Sequence, residues 1–117
     1  MSKLRVLVAV LLLVVGLGAC SSKSKSSSAK PSVDTFDFRF SPTSFSVKAG
    51  SKVTVSLKNQ GTVEHNFSIA SAGVNKDLAK GASATVTFTA PSTAGDVQYF
   101  CEYHKDSKGM VGTLHVT

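Results

Sequence analysis

Acidic residues are scarce in this chain of 117 residues, with seven Asp and Glu against thirteen Lys and Arg and a formal net charge of +6 at pH 7. The excess of positive charge lies at the amino terminus, on Lys3, Arg5, Lys23, Lys25 and Lys30. From residue 33 onward, eight basic and seven acidic side chains leave a net charge of +1. A nucleic-acid-binding domain needs a basic patch on the folded domain itself, so this balance argues against that class of function.

Long apolar runs are also lacking, apart from one at residues 6–15. That run is too short to span a membrane comfortably. It follows a positively charged start and leads into Leu-Gly-Ala-Cys at residues 17–20, which resembles the lipobox of bacterial lipoproteins. This pattern predicts a lipoprotein signal peptide over residues 1–19, with Cys20 acylated as the new first residue. Ordinary secretion by cleavage near Ala19, or a short uncleaved anchor, are the alternatives.

Residues 20–32 are rich in Ser and Lys and should form a flexible, solvated tether. The tether keeps a domain over residues 33–117 within some tens of ångströms of a bilayer, since an extended chain spans about 3.3 Å per residue. Its lysines favour an anionic membrane surface by about 1 kcal/mol each. We therefore expect an exported protein held at the cell envelope, in the periplasm or on the outer face of the cytoplasmic membrane.

Only two cysteines are present, Cys20 and Cys101. If Cys20 carries lipid, Cys101 has no partner within the chain for a disulfide bond. A lone thiol in an oxidising compartment is a liability unless it is buried or bound to a metal. A disulfide bond between two copies of the chain is the alternative.

The sequence does not keep a helical period for more than about one turn. The one weak helix candidate is at residues 74–80, and Gly81 would end that helix. Short runs of alternating residues take its place, interrupted by Gly, Pro and Asn. The inward-facing positions of these runs are Phe36, Phe38 and Phe40; Phe45 and Val47; Val53, Val55 and Leu57; His65, Phe67 and Ile69; Ala84, Val86 and Phe88; Val97, Tyr99 and Cys101; and Leu114 and Val116. Such runs are typical of half-buried antiparallel strands. We therefore predict an all-β, two-sheet β-sandwich of about seven strands.

Four side chains in the second half of the chain could bind a soft metal ion: His65, Cys101, His104 and Met110. Two imidazoles and a thiolate with a long axial thioether form the blue-copper arrangement. Two loop ends meeting at one pole of a sandwich could close such a site. Each residue also has a simpler interpretation, as a hydrogen-bonded strand-end histidine, a small buried residue, a solvated loop histidine or a core methionine. His115 alternates with apolar neighbours, should face water, and receives no role.

The segments YFCEYH (residues 99–104) and GMVGTL (109–114) resemble the copper loop of the plastocyanin and pseudoazurin families. Residues 64–67 resemble the upstream segment that carries the first histidine ligand, and residues 45–50 resemble the second strand and its turn. The resemblance covers roughly residues 33–117. It implies a Greek-key cupredoxin domain that binds one copper ion, cycling between Cu(I) and Cu(II).

The resemblance also implies a role for each matching residue. His65 and His104 would bind copper through an imidazole nitrogen and Cys101 through its thiolate, while Met110 would be the weak axial ligand. Asn66, beside the first histidine, would tie the two ligand loops together and help to orient the thiolate.

The chain departs from the pattern of these families at two places. Five residues separate His104 from Met110, where plastocyanin-like loops usually have four, so residues 105–108 should bulge the loop. Tyr103 stands where those loops usually have Pro, and it has a backbone N–H that Pro lacks. We hypothesise that this N–H donates to the Cys101 sulfur and raises the reduction potential, because stabilising the thiolate weakens its donation to Cu(II).

A donor set with no nucleophile, general base or open metal position predicts an electron carrier rather than an enzyme. By the resemblance, His104 is the solvent-facing edge of the site and the electron port, framed by Gly61, Val63, Gly109 and Met110. A redox protein partner would dock there through a weak, transient interface, with the carrier a monomer.

Two other functions fit the same residues. One is an envelope protein that binds or delivers copper without redox turnover, and the other is a cupredoxin-like module without copper that serves adhesion or signalling. Two kinds of copper enzyme are excluded. The binuclear centre of cytochrome oxidase needs two cysteines in one loop, and multicopper oxidases need His-x-His pairs and several domains.

Overall fold

The computed structural model describes the backbone of residues 28–117 and the side chains of residues 30–117. The predicted signal peptide, Cys20 and most of the predicted tether lie outside this range. Within it, no helix is long and apolar enough to cross a bilayer.

Ten strands form two sheets in the described residues. In chain order they are β1 (Ser28–Ala29), β2 (Ser32–Phe36), β3 (Arg39–Ser41), β4 (Ser44–Val47), β5 (Lys52–Asn59), β6 (His65–Ile69), β7 (Val74–Leu78), β8 (Ser83–Thr89), β9 (Gly95–Phe100) and β10 (Val111–Val116). A 3₁₀ turn at Ala70–Ala72 and one helical turn, α1, at Lys105–Lys108 complete the described part. The predicted all-β, two-sheet architecture is confirmed.

The first sheet is built around β5, which pairs with β8 along one edge and with β1 and β2 along the other. Ser28 lies opposite Lys52 and Ser32 opposite Ser56, so β1 and β2 continue the same parallel register. They are interrupted at Pro31, which has no N–H to donate, although its carbonyl accepts from the Ser56 N–H at 3.0 Å. The sheet therefore takes in residues that the sequence assigns to the flexible tether.

The strand count exceeds seven partly because residues 36–40 are not one strand. Asp37 and Phe38 form the turn between β2 and β3, and Phe38 has a φ of 67°. Phe38 is consequently 38% exposed instead of facing the core with Phe40. Alternation of residue types does not reveal this turn, because a positive φ is uncommon for a bulky residue.

The weak helix candidate at residues 74–80 is also wrong, since residues 74–78 form β7, antiparallel to β6. Its two buried side chains are Val74 and Leu78. A spacing of four residues returns to the same face in a strand as well as in a helix. The pairing with β6 therefore decides the conformation of this segment.

The second sheet has the order β4-β10-β9-β6-β7, and the core between the sheets centres on Tyr99 of β9. The fully buried Tyr99 ring lies 5.1 Å from the Phe40 ring and 5.3 Å from the Phe67 ring, centroid to centroid. Gly112 faces Tyr99 across the β9–β10 pair, and a Cβ at that position would overlap the Tyr99 ring. The close packing holds together β9 and β10, the two strands that flank the predicted ligand loop.

Candidate metal centre

The predicted ligands lie where strands of the second sheet begin or end. His65 is the first residue of β6, Cys101 follows β9 directly, and Met110 comes directly before β10. β6 runs antiparallel to β9, with Ser68 opposite Phe100, so the start of β6 meets the end of β9. Sheet pairing therefore brings His65 to the loop that holds the other three candidates.

Backbone hydrogen bonds close this loop. The Cys101 N–H donates to the Met110 carbonyl at 3.1 Å, and the Met110 N–H donates to the His104 carbonyl at 3.3 Å. The amides of His104 and Lys105 both donate to the Cys101 carbonyl, at 3.1 and 2.8 Å. These bonds fix three predicted ligand positions relative to one another.

The longer spacing between His104 and Met110 is accommodated by α1. This single helical turn ends at Gly109, whose φ of 62° lies in the left-handed region and whose N–H donates to the Lys105 carbonyl. A left-handed glycine is a common way to end a helical turn. The extra residue is thus taken up by regular structure within residues 105–108, where the sequence predicts a bulge.

Three of the four predicted ligands converge on one point. The Nδ1 atoms of His65 and His104 lie 3.2 Å apart, and the Cys101 Sγ lies 3.4 Å from the His104 Nδ1. The candidate ligand atoms of these three residues all lie within 4.8 Å of one another. Donors bound at about 2.0 to 2.3 Å around a single ion stand about 3.5 to 4 Å apart, so a small outward shift of these side chains would let them bind one soft metal ion.

The surroundings of these donors are largely dry. His65, Cys101 and Met110 are fully buried, and His104 is partly exposed. Burial disfavours the charged imidazolium and, together with the neighbouring His65, lowers the pKa of His104 from its ordinary value. His104 is therefore neutral at neutral pH, which is the form that binds metals. The role of Met110 as axial ligand stays a prediction.

Asn66 connects the two ligand segments. Its Oδ1 accepts from the backbone N–H of Glu102 at 3.2 Å and from the Ser68 hydroxyl at 2.5 Å. Its Nδ2 donates to Asn75 at 2.8 Å and to Asp77 at 3.0 Å. Because Glu102 directly follows Cys101, this buried amide links the start of β6 to the cysteine segment.

Tyr103 makes a different contact from the one hypothesised. The hydrogen bonds of the described residues do not include one from the Tyr103 N–H to the Cys101 sulfur. The amides of His104 and Lys105 donate to the Cys101 carbonyl, and the Tyr103 hydroxyl donates to Asp77 Oδ1 at 2.6 Å. Tyr103 thus joins the Asn66 network through Asp77.

Two further residues reach the site from the β2–β3 turn. The Asp37 Oδ1 lies 3.2 Å from the His65 Nε2, and the Phe38 ring centroid lies 5.0 Å from that of His104. The alternating pattern places both residues within a strand, so it carries no signal for these contacts. Met110, by contrast, is fully buried and does not frame the exposed edge of His104. Phe38 does, with the Lys108 Nζ 5.0 Å from its ring centroid.

A two-sheet sandwich with one cysteine sulfur and two imidazoles at one pole defines a class of small β proteins with a site for one metal ion. The profile of the Cupredoxin-like domain family matches residues 9–112, and the chain belongs to this family.

Three solved auracyanins have similar structures. Auracyanin from Roseiflexus castenholzii is 24% identical, with a TM-score of 0.67 over 75% of this chain and 96% of that chain. Auracyanin B is 26% identical, with a TM-score of 0.66 over 76% and 89%. Auracyanin A from Chloroflexus aurantiacus, described as a "blue" copper protein, is 24% identical, with a TM-score of 0.62 over 77% and 99%.

The Tyr103–Asp77 pair predicts a measurable shift in titration. The hydrogen bond to Asp77 raises the pKa of Tyr103 to about 12, while burial raises the pKa of Tyr99 to about 12. We expect neither tyrosine to ionise at pH 10 to 11, as followed by phenolate absorbance and ring NMR signals. Asp77→Asn should lower the pKa of Tyr103 alone, with Tyr99 as the internal control.

The sign of the linked stability follows from these directions. A neutral phenol in the folded state stabilises the protein below the unfolded pKa of about 10, and this contribution is lost as pH rises towards 12. A Tyr103 signal that titrates at its ordinary value in the unsubstituted protein would contradict the prediction.

Proposed function

We propose that this protein is a type 1 copper electron-transfer protein that carries single electrons between redox partners at the cell envelope. The observation that carries the proposal is the convergence of the His65 Nδ1, His104 Nδ1 and Cys101 Sγ at one buried point. Family membership and the likeness to auracyanin A, a "blue" copper protein, support copper as the ion.

The way in which the donors are held favours electron transfer over catalysis. A bound copper ion would supply one-electron chemistry by alternating between Cu(I) and Cu(II). His65 is anchored by β6, and the loop with Cys101 and His104 is closed by backbone hydrogen bonds to Met110. Rigid donors limit the rearrangement between two oxidation states, which favours a site that passes single electrons. We therefore propose a carrier and not an enzyme.

Copper spectroscopy tests this function. A lipid-free form from residue 20 onward with Cys20→Ser should bind one equivalent of copper with intense visible thiolate-to-copper absorption. Cys101→Ser should abolish that band because it removes the thiolate, whereas His115→Gln is the matched control. His115 is an exposed histidine that contacts Asp96 and lies outside the site.

Two outcomes would contradict the proposal. Copper binding without the visible band would indicate a simple binding site. Rapid loss of copper on reduction would favour the second candidate function, in which an envelope protein delivers copper through the same donor side chains.

The exposed edge of His104 is the proposed electron port. Phe38 and Val63 are large apolar side chains with 38% and 41% exposure near this pole, and Lys108 lies over the Phe38 ring. An apolar surface with one neighbouring positive charge suits brief docking of a redox protein to a monomeric carrier.

The charge on Lys108 makes the port testable. Lys108→Glu should slow oxidation of the reduced protein by anionic ferricyanide and speed oxidation by a cationic cobalt complex, since local charge steers small reactants. The matched control is Lys52→Glu, at the opposite end of β5 from the site. Stopped-flow rates at low ionic strength measure both effects. Equal changes in the two variants would rule out a port at His104.

A lipid anchor at Cys20 completes the proposal and accounts for the envelope location, the lysine-rich residues that follow it and the predicted signal peptide. Mass spectrometry of the membrane-extracted protein should find Cys20 as an acylated amino terminus. Cys20→Ser should release the chain from membranes without changing its copper spectrum. An unmodified terminus near Ala19 would instead indicate ordinary secretion.

A further inference from the structure

Asp37 occupies an unusual position between the β2–β3 turn and the metal centre. Its Oδ1 accepts from the Thr62 backbone N–H at 2.7 Å, and its Oδ2 accepts from the Thr62 hydroxyl at 2.5 Å. The same Oδ1 lies 3.2 Å from the Nε2 of the fully buried His65. Both carboxylate oxygens therefore already accept hydrogen bonds, and the carboxylate faces His65 as an acceptor.

The geometry points to a tautomer for His65. Because the Asp37 carboxylate can only accept a hydrogen bond, the His65 Nε2 must carry the proton. In the neutral imidazole this leaves the lone pair on Nδ1. That Nδ1 lies 3.2 Å from the His104 Nδ1, and the Cys101 Sγ is close to both nitrogens. We propose that Asp37 is the positioning residue of His65, holding its imidazole as the Nε2–H tautomer with Nδ1 presented to the metal.

The surrounding loop is shaped to allow this contact. A Cβ on Gly61 would overlap the Asp37 Oδ1 and lie 2.8 Å from the His65 Nε2, so only glycine leaves the pair intact. The Gly61 N–H donates to the Asn59 Oδ1 at 2.8 Å, and the buried Asn59 amide donates to the Val63 carbonyl at 2.8 Å. Residues 60–63 are thus fixed from one side by Asn59 and from the other by Asp37.

Histidine ligands generally depend on such a partner, since it sets the ring orientation and raises the basicity of the ligand nitrogen. Removing it typically weakens metal affinity by about 10- to 100-fold. A more basic donor favours Cu(II), so removing the carboxylate should also raise the reduction potential. The part of the inference that concerns copper rests on the proposed function, whereas the tautomer does not.

The test compares two substitutions in the full-length mature protein. In Asp37→Ala, the ¹⁵N signals of His65 in the metal-free protein should show a mixture of tautomers, and copper affinity should fall by about 10- to 100-fold. Asp37→Asn should keep the Nε2–H tautomer and most of the affinity, because an amide oxygen can occupy the Oδ1 position while its NH₂ group donates to the Thr62 hydroxyl. Both variants should have a higher reduction potential than the unsubstituted protein.

Gly61→Ala provides a second route to the same result, since its Cβ displaces the carboxylate from His65. The matched control is Asp34→Ala, which removes an aspartate of β2 that accepts from the Gln60 Nε2 in the neighbouring loop but does not touch a histidine. Asp34→Ala should leave the His65 tautomer and copper affinity unchanged.

An unaltered His65 tautomer in Asp37→Ala would overturn the inference, as would equal losses of affinity in Asp34→Ala and Asp37→Ala. The metal-free NMR result stands apart from the copper experiments. If the unsubstituted protein bound no copper, the proposed function would fail while the tautomer of His65 would still be decided.

Discussion

The site depends on three donor atoms that the fold holds close together: the Nδ1 atoms of His65 and His104 and the sulfur of Cys101. Two imidazole nitrogens and a sulfur lie within 4.8 Å, mostly shielded from water. Burial removes the water that would otherwise hydrogen-bond to these polar atoms, so they contact one another instead. A metal ion bound between them would satisfy all three donors at once and would add to the stability of the fold.

Three separate segments of the chain hold the donor side chains in place. The Cys101–His104–Met110 loop is closed by its own backbone hydrogen bonds, and Asn66 ties its start to β6 through the Glu102 amide. The third segment is the β2–β3 turn, whose Asp37 contacts the Nε2 of His65, the ring nitrogen that points away from the other donors. Each segment fixes a different part of the site, and the positions of all three donors therefore depend on the three segments together.

The parts predicted from the sequence share a physical basis. Alternation with a period of two predicts strands, and pairing of β6 with β9 brings the residue pattern of His65, Cys101 and His104 together. Apolar periodicity also places Tyr99 and Phe67 in the core correctly. These features depend on side-chain polarity and on order along the chain, which the sequence displays directly.

The parts that differ depend on backbone conformation and on partners distant in sequence. The sequence places the Tyr103 N–H at the Cys101 sulfur, but residue type alone does not reveal the turn that directs the His104 and Lys105 amides to the Cys101 carbonyl. The helix predicted over residues 74–80 is β7 instead, because the four-residue spacing of Val74 and Leu78 suits either period. Asp37 lies 28 residues from His65, and a single aspartate between two phenylalanines has no pattern that would reveal such a contact.

The backbone conformation of Phe38 links the β2–β3 turn to the metal centre. A left-handed backbone costs roughly 1–2 kcal/mol for a residue with a Cβ, and Gly or Asn would avoid most of it. The conformation nevertheless places the Phe38 ring 5.0 Å from the His104 ring at the exposed edge of the site, while the preceding residue meets His65. A hairpin needs only a tight turn, which smaller residues would form at lower cost. The left-handed conformation therefore positions Asp37 against His65 and the Phe38 ring against His104, as is typical of backbone strain kept at functional sites.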